Sequence, residues 1–269
     1  MAPASPEAEL EGARSAPERH RLSLLGWLAD LAGAWVFYSV LPLPPGLQPR
    51  FERIARFAPW VGAVIGALEA LLWLLLGWGG ADRLAQVPLV IAFGVWISGG
   101  LHLDGAMDTA DGLAAGPERC LEAMDDSRVG ASGVQALLQL VLLRVGGLVL
   151  LASTAPWALL WSAVWGRCAP LLAMQAYPYL REDSGTASFH RRHWRGLGLE
   201  LLPSLVLLAM LSGATRWLAG WLGLLPALLV PWWLGRRLGG HSGDSYGACV
   251  EWTVSWSLLL MGVVQLALT

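Results

Sequence analysis

The sequence predicts an all-α fold: a polytopic membrane helical bundle of about seven spanning helices, with an N-terminal segment that re-enters rather than crosses. Three observations predict it. Of 269 residues, 55% are hydrophobic and the mean hydropathy is +0.53. Only 14% are charged, against about 25% in average soluble domains. Apolar stretches of about 20 residues, enough to cross some 30 Å of hydrocarbon as helix, recur along the chain. Together these exclude disorder over most of the length and a polar β-sandwich. The net charge of -2 identifies no partner, and nothing in it calls for nucleic acid.

Residues 1–20 are rich in Pro, Ala, Glu and Arg and lack the apolar core of a secretory peptide. They read as a disordered, retained tail. Residues 21–269 read as a single integral membrane catalytic domain. Its predicted apolar segments are 22–43, 59–78, 84–101, 131–152, 156–176, 199–215, 217–234 and 247–268. Trp60, Trp78, Trp157, Trp217 and Trp232 fall near segment ends, as interfacial aromatic belts do. The first segment contains Asp30 and Gly33 and runs into Pro42, Pro44 and Pro45, which favours a dip and return.

Arginine sets the orientation, because the chain has no lysine. If the first segment re-enters, Arg83 and Arg216 fall on one side and Arg144 and Arg167 inside spans. All other arginines share the opposite side, which marks the cytoplasm. The loops 102–130, 177–198 and 235–246 are cytoplasmic whether that segment re-enters or spans. An arginine inside a span costs about 3 kcal/mol on insertion scales, so Arg144 needs an acid, and Glu69 and Glu251 are the candidates. Cys120, Cys168 and Cys249 match no zinc or disulfide spacing and read as small apolar residues.

The three loops carry the chemistry. In GGLHLDGAMDTADG, residues 99–112, Asp104, Asp108 and Asp111 are spaced i, i+4, i+7 and share one helix face. Two unpaired carboxylates about 6 Å apart repel by roughly 3 kcal/mol at an effective dielectric near 20. A divalent cation relieves that, and an all-oxygen set favours Mg²⁺, Mn²⁺ or Ca²⁺. Gly105 and Gly112 would let a large substrate approach the backbone. The alternative is a solvated helix start rich in acids. His102 reads as a structural histidine or a base. Ser127 and Arg128, followed by Gly130 and Gly133, suit an anion site at a helix N-terminus, or a topology anchor. Arg167 lies near the cytoplasmic end of its span, within reach of phosphate. Arg181, Glu182 and Asp183 form a charged cluster. Gly243 and Asp244 lie in the glycine-rich GGHSGDSYGA, residues 239–248, which could cradle phosphate, add a metal ligand or merely connect.

These motifs resemble the cobalamin synthase family, the adenosylcobinamide-GDP ribazoletransferases. The resemblance rests on GGLHLDGAMDTADGL (99–113), RCLEAMDDSRVGASGV (119–134), WGR (165–167), YPYLRE (177–182) and GGHSGDSYGA (239–248), in the family's order. FYSVLPLP (37–44) and PWVGAVIG (59–66) extend it. Asp125 departs from the family's usual lysine, Ser242 replaces its threonine, and DSGTASF follows Glu182 where a glycine-rich form is usual. Arg144 stands where lysine is common.

The resemblance implies an integral membrane enzyme that needs Mg²⁺. It transfers adenosylcobinamide phosphate from adenosylcobinamide-GDP to the ribose 3′-hydroxyl of α-ribazole 5′-phosphate, or of α-ribazole. The products are adenosylcobalamin 5′-phosphate, or adenosylcobalamin, and GMP, late in nucleotide-loop assembly. The implied location is the bacterial inner membrane, with the active site facing the cytoplasm. On that reading Asp104, Asp108, Asp111 and Asp244 are the metal ligands. Arg128, Arg167, Arg181, Ser127 and Gly243 bind phosphates, and Asp108, His102 or Glu182 is the base. The other partner is the lipid bilayer, and a homo-oligomer is compatible with the sequence. The competing classes are a CDP-alcohol phosphotransferase, whose long motif is not reproduced here, a transporter and a corrinoid-binding scaffold.

Overall fold

The computed structural model describes residues 24–181, 193–202, 204–206, 210 and 220–268. Helices account for nearly all of the regular structure there, and the only bridge among the described residues pairs Tyr179 with His241. The helices are α1 Leu24–Tyr38, α2 Ala58–Trp78, α3 Arg83–Ile97, α4 Leu101–Ala115, α5 Cys120–Asp125, α6 Ala131–Leu151, α7 Ala155–Ala176, α8 Leu224–Leu238 and α9 Gly243–Leu268.

Three continuous helical stretches are long and apolar enough to cross a membrane: Ile54–Trp78, Ala131–Ala176 and Gly243–Leu268. The second is a hairpin of α6 and α7. Arg144 of α6 pairs with Glu251 of α9, and Gly166 of α7 lies against Val250 and Val254 one turn away. α3 and α4 would make a further span, but they bend by 92°. The seven expected spans are therefore not reached among the described residues. Segments 22–43, 84–101 and 217–234 contain 15-residue helices, and most of 199–215 lies outside the described residues, as does the tail 1–20. Leu71, Leu75, Trp78, Leu138, Leu142, Leu229 and Trp232 are exposed on the outer surface. Soluble monomers rarely show so much contiguous apolar area, and lipid would cover it.

The core lies where α4, α6, α7 and α8 surround α9, with α2 packed on the other side of α7. Small residues bring the backbones together: a Cβ on Gly62 would sit 2.6 Å from the Ala163 carbonyl, and one on Gly147 2.6 Å from the Leu258 backbone. Pro59 and Pro156 stand in the first turns of α2 and α7, where no intrahelical donor is needed. Asp82 starts α3 by accepting from the Ala85 amide at 3.0 Å. Arg144 also donates to the Ser255 hydroxyl at 3.0 Å. Glu251 is thus the in-span partner, and Glu69 packs against Gly94 instead.

The N-terminal segment folds back on itself. The Arg50 amide donates to the Ala29 carbonyl at 2.9 Å, and its guanidinium to Gly26 at 3.0 Å. Asp30, fully buried in α1, binds Arg50 at 2.5 Å and also Arg56. Arg56 lies over the Trp27 ring at 4.6 Å. The far end of α1 reaches α3, where the Val40 amide donates to Ile97 at 2.9 Å. This brings Tyr38 to His102, whose rings stack with centroids 6.1 Å apart.

Candidate active site

α4 crosses the start of α9, and glycines permit the crossing. A Cβ on Gly105 would lie 2.7 Å from the Asp244 carbonyl, and one on Gly247 3.0 Å from that of His102. A Cβ on Gly112 would meet Met124 and Cys120 of α5 at 2.7–2.8 Å. Gly112 thus serves helix packing, and Gly105 both permits the crossing and lines the cleft that it opens. The crossing opens a pocket of about 190 Å³, whose lining includes Tyr38, His102, Asp104, Arg167, Gly243 and Asp244.

The mouth of the pocket is acidic. Asp104 is exposed and Asp108 half-buried, and neither has a hydrogen-bond or ion-pair partner among the described residues. α4 is too short to cross a bilayer alone and turns away from α3, so Asp108 stands outside the spans. Burial, then the charges of Asp104, Asp244 and Asp111, push the Asp108 carboxyl up to about 6, against the pull of Arg181.

Asp111 is placed differently. Its two oxygens accept from the amides of Gly130 and Gly133, each at 2.8 Å, at the start of α6. The anion site expected beside Ser127 and Arg128 exists, and this chain's own carboxylate fills it. Ser127 is exposed, and Arg128 folds back onto Asp126, at 2.6 Å and 2.9 Å. Neither lines the pocket.

Arg181 is held at the mouth by a short extended pairing after α7. The Leu180 amide donates to His241 at 2.8 Å, and the His241 amide to Pro178 at 2.9 Å. His241 is fully buried and bonds Ser245 and Pro231 through its ring nitrogens at 3.0 Å and 3.1 Å. Arg181 then bridges Asp244 at 3.0 Å and Asp125 at 2.5 Å. It faces carboxylates, not open space. Gly243 begins α9, so the GGHSGDSYGA motif, residues 239–248, is mostly the first turns of that helix. Glu182 lies outside the described residues.

Among the described residues, no three His, Cys, Asp or Glu side chains converge as a metal cage. Of the four expected ligands, Asp104 and Asp244 line the pocket, Asp108 lies one turn along α4 beyond its lining, and Asp111 sits at the start of α6. A hard cation held by one or two carboxylates and completed by water and phosphate oxygens fits this donor set. A protein-only cage does not.

Cobalamin-5-phosphate synthases are the family whose model matches this chain, over residues 30–262. The chain belongs to the cobalamin-5-phosphate synthase family. An adenosylcobinamide-GDP ribazoletransferase of Prochlorococcus marinus (strain MIT 9313) is 59% identical over 251 residues, covering 88% of this chain and 96% of that protein. Relatives of the same name from Trichormus variabilis (strain ATCC 29413 / PCC 7937) and Thermosynechococcus vestitus (strain NIES-2133 / IAM M-273 / BP-1) are 38% and 43% identical. They cover 91% and 86% of this chain, and 99% and 95% of their own lengths. No solved structure matches the chain.

The family match spans every element that builds the pocket, from Asp30 in α1 to Gly262 in α9. It removes the transporter, scaffold and CDP-alcohol readings. The residues that sequence reasoning missed are Tyr38, His241, and the Asp30 cluster that holds α1. Tyr38 is inside the FYSVLPLP motif, so the motif pointed at it. His241 could have been suspected from its place in the last motif. The partners of Asp30 needed the fold.

Proposed function

We propose that this chain transfers adenosylcobinamide phosphate from adenosylcobinamide-GDP to the ribose 3′-hydroxyl of α-ribazole 5′-phosphate, or of α-ribazole, releasing GMP. The observation that carries the reading is the family match over the whole pocket, joined to an acidic mouth whose Asp104 and Asp108 are free to take a cation. It supports a cobalamin-biosynthetic transferase acting on small molecules.

Asp104 and Asp108, with Asp244 across the crossing, would hold Mg²⁺ at the donor diphosphate. Bound there, Mg²⁺ neutralises charge on the phosphates and improves GMP as a leaving group. Arg181 keeps Asp244 aimed at the mouth while no cation offsets its charge. Arg167 supplies fixed positive charge deeper in, where low dielectric strengthens it. Asp108, half-buried one turn along α4 from Asp104, takes the proton of the attacking hydroxyl. His102 is buried in the pocket wall and stacked on Tyr38. Arg128 and Ser127 are exposed and do not line the pocket, so they act on substrate only from outside it.

The long apolar helices support placement in the bacterial inner membrane. The pocket end carries Arg119, Arg128, Arg181, Arg236 and Arg237, while Arg83 starts α3 at the opposite end of the bundle. By the positive-inside rule the pocket faces the cytoplasm. The test is incubation of purified protein with both substrates and Mg²⁺, following GMP by chromatography. GMP appearing only when donor and acceptor are both present supports the reading, and none with a folded protein rejects it.

A further inference from the structure

The inner end of the pocket differs in charge from its mouth. Arg167 is 5% exposed, and its Nε is fully enclosed with no hydrogen-bond partner. His102 is 6% exposed, and its Nδ1 is enclosed and unpartnered too. Both line the cavity, and Tyr38 closes over His102. The nearest buried acids acting on Arg167 are Glu251 and Glu69. Glu251 is occupied by Arg144, and neither acid forms an ion pair with Arg167. A buried guanidinium left without a bonded anion costs several kcal/mol. In a pocket wall, that is the mark of a ligand anion.

Size and shape narrow the anion. A volume of about 190 Å³ is below the roughly 300–1,000 Å³ that encloses a whole small ligand. It admits a terminal group. The donor diphosphate carries a corrinoid arm at one end and guanosine at the other, so it cannot enter a narrow cleft end-on. A phosphomonoester can. Arg167 is buried whereas Asp104 is exposed and Asp244 half-buried, so the guanidinium stands at the closed end of the pocket and the acids at its open side.

We propose that Arg167, with His102 and Tyr38, seats the terminal 5′-phosphate of the acceptor nucleotide, so that α-ribazole 5′-phosphate binds more tightly than α-ribazole. This rests on the transferase reading above. The acidic mouth then holds the donor through its cation, and the basic inner end holds the acceptor directly.

The test is equilibrium binding of α-ribazole 5′-phosphate, α-ribazole and adenosylcobinamide-GDP in metal-free buffer, by tryptophan fluorescence. The wild-type protein should bind the phosphorylated acceptor about ten- to a hundredfold more tightly than α-ribazole, the range for hydrogen bonds to a charged group. Arg167→Gln should bring that ratio towards one, and Arg167→Lys should keep part of it. Equal binding of both acceptors to the wild-type protein overturns the proposal, even if Arg167→Gln does not fold. So does an Arg167→Gln variant that loses more affinity for the donor than for the acceptor. Separate GMP assays keep the two readings apart: wild-type protein that releases GMP but binds both acceptors alike retains the function and loses the subsite. Protein that discriminates between acceptors but forms no GMP does the reverse.

Discussion

The carboxylate of Asp111 rests on the amide of Gly133 at 2.8 Å, 22 residues away and on the next long helix. The same carboxylate takes the Gly130 amide. A Cβ on Gly133 would stand 2.5 Å from its oxygen. The glycines are there so that an acid can sit on the start of α6, where unpaired amides and the helix dipole favour negative charge.

Asp111 is therefore structural. Asp111→Ala should lower stability by about 2 kcal/mol, the scale of a charge-assisted hydrogen bond at a helix start. Thermal melts in detergent measure it. The Mg²⁺ concentration giving half-maximal GMP release should stay at the wild-type value. A shift of that concentration with an unchanged melt would return Asp111 to the metal.

Arg144 and Glu251 face each other inside the bundle, each 5–8% exposed. Arg144→Met leaves Glu251 charged and buried, which costs about 3–5 kcal/mol. The double variant Arg144→Met, Glu251→Leu should recover most of that loss, because both charges leave together. Equal melting temperatures for the single and double variants would show that the pair does not act as a unit.

Asp30 binds two arginines from the returning strand of the N-terminal hairpin. Asp30→Ala should release residues 39–50 and make them the first site cut by trypsin or chymotrypsin. A cleavage pattern identical to wild type would mean that packing alone holds the hairpin.

Asp108 gives a pH signature in metal-free buffer. Its folded carboxyl titrates near 6 against an ordinary 3.8, so between those values the folded protein binds more protons than the unfolded chain. Stability from this group then falls as pH rises through that window. Asp108→Asn should raise the melting temperature at pH 8 and leave it nearly unchanged at pH 4. A lowered melting temperature at pH 8 would mean that the carboxylate is stabilising in place.

Much of this was legible from residue order. The apolar runs gave α2, α6, α7 and α9, and the in-span arginine Arg144 called for the acid it found in Glu251. The i, i+4, i+7 acids share α4 as expected. What spacing could not show was which acid the fold would use for itself. Asp111 meets a helix start 19 residues on, and Arg181 meets Asp244 63 residues on. Both are tertiary encounters with no local pattern. The short helices α1 and α3 were over-extended in the reading because hydropathy continues past their ends, whereas α8 runs beyond the expected 234 to Leu238, and Gly99 and Gly100, both at positive φ, turn the chain between α3 and α4. A glycine beside an acid can serve a ligand or a neighbouring helix, and Gly105 lies where both meet, against α9 and in the pocket wall.

The most direct test of the account is Mg²⁺-dependent GMP release by Asp104→Asn and Asp108→Asn beside the wild-type protein, with folding checked by gel filtration. Folded variants whose turnover falls by roughly a thousandfold, the scale on which a transition-state charge contact acts, are the predicted result. Either variant turning over at the wild-type rate with an unaltered Mg²⁺ requirement would contradict it.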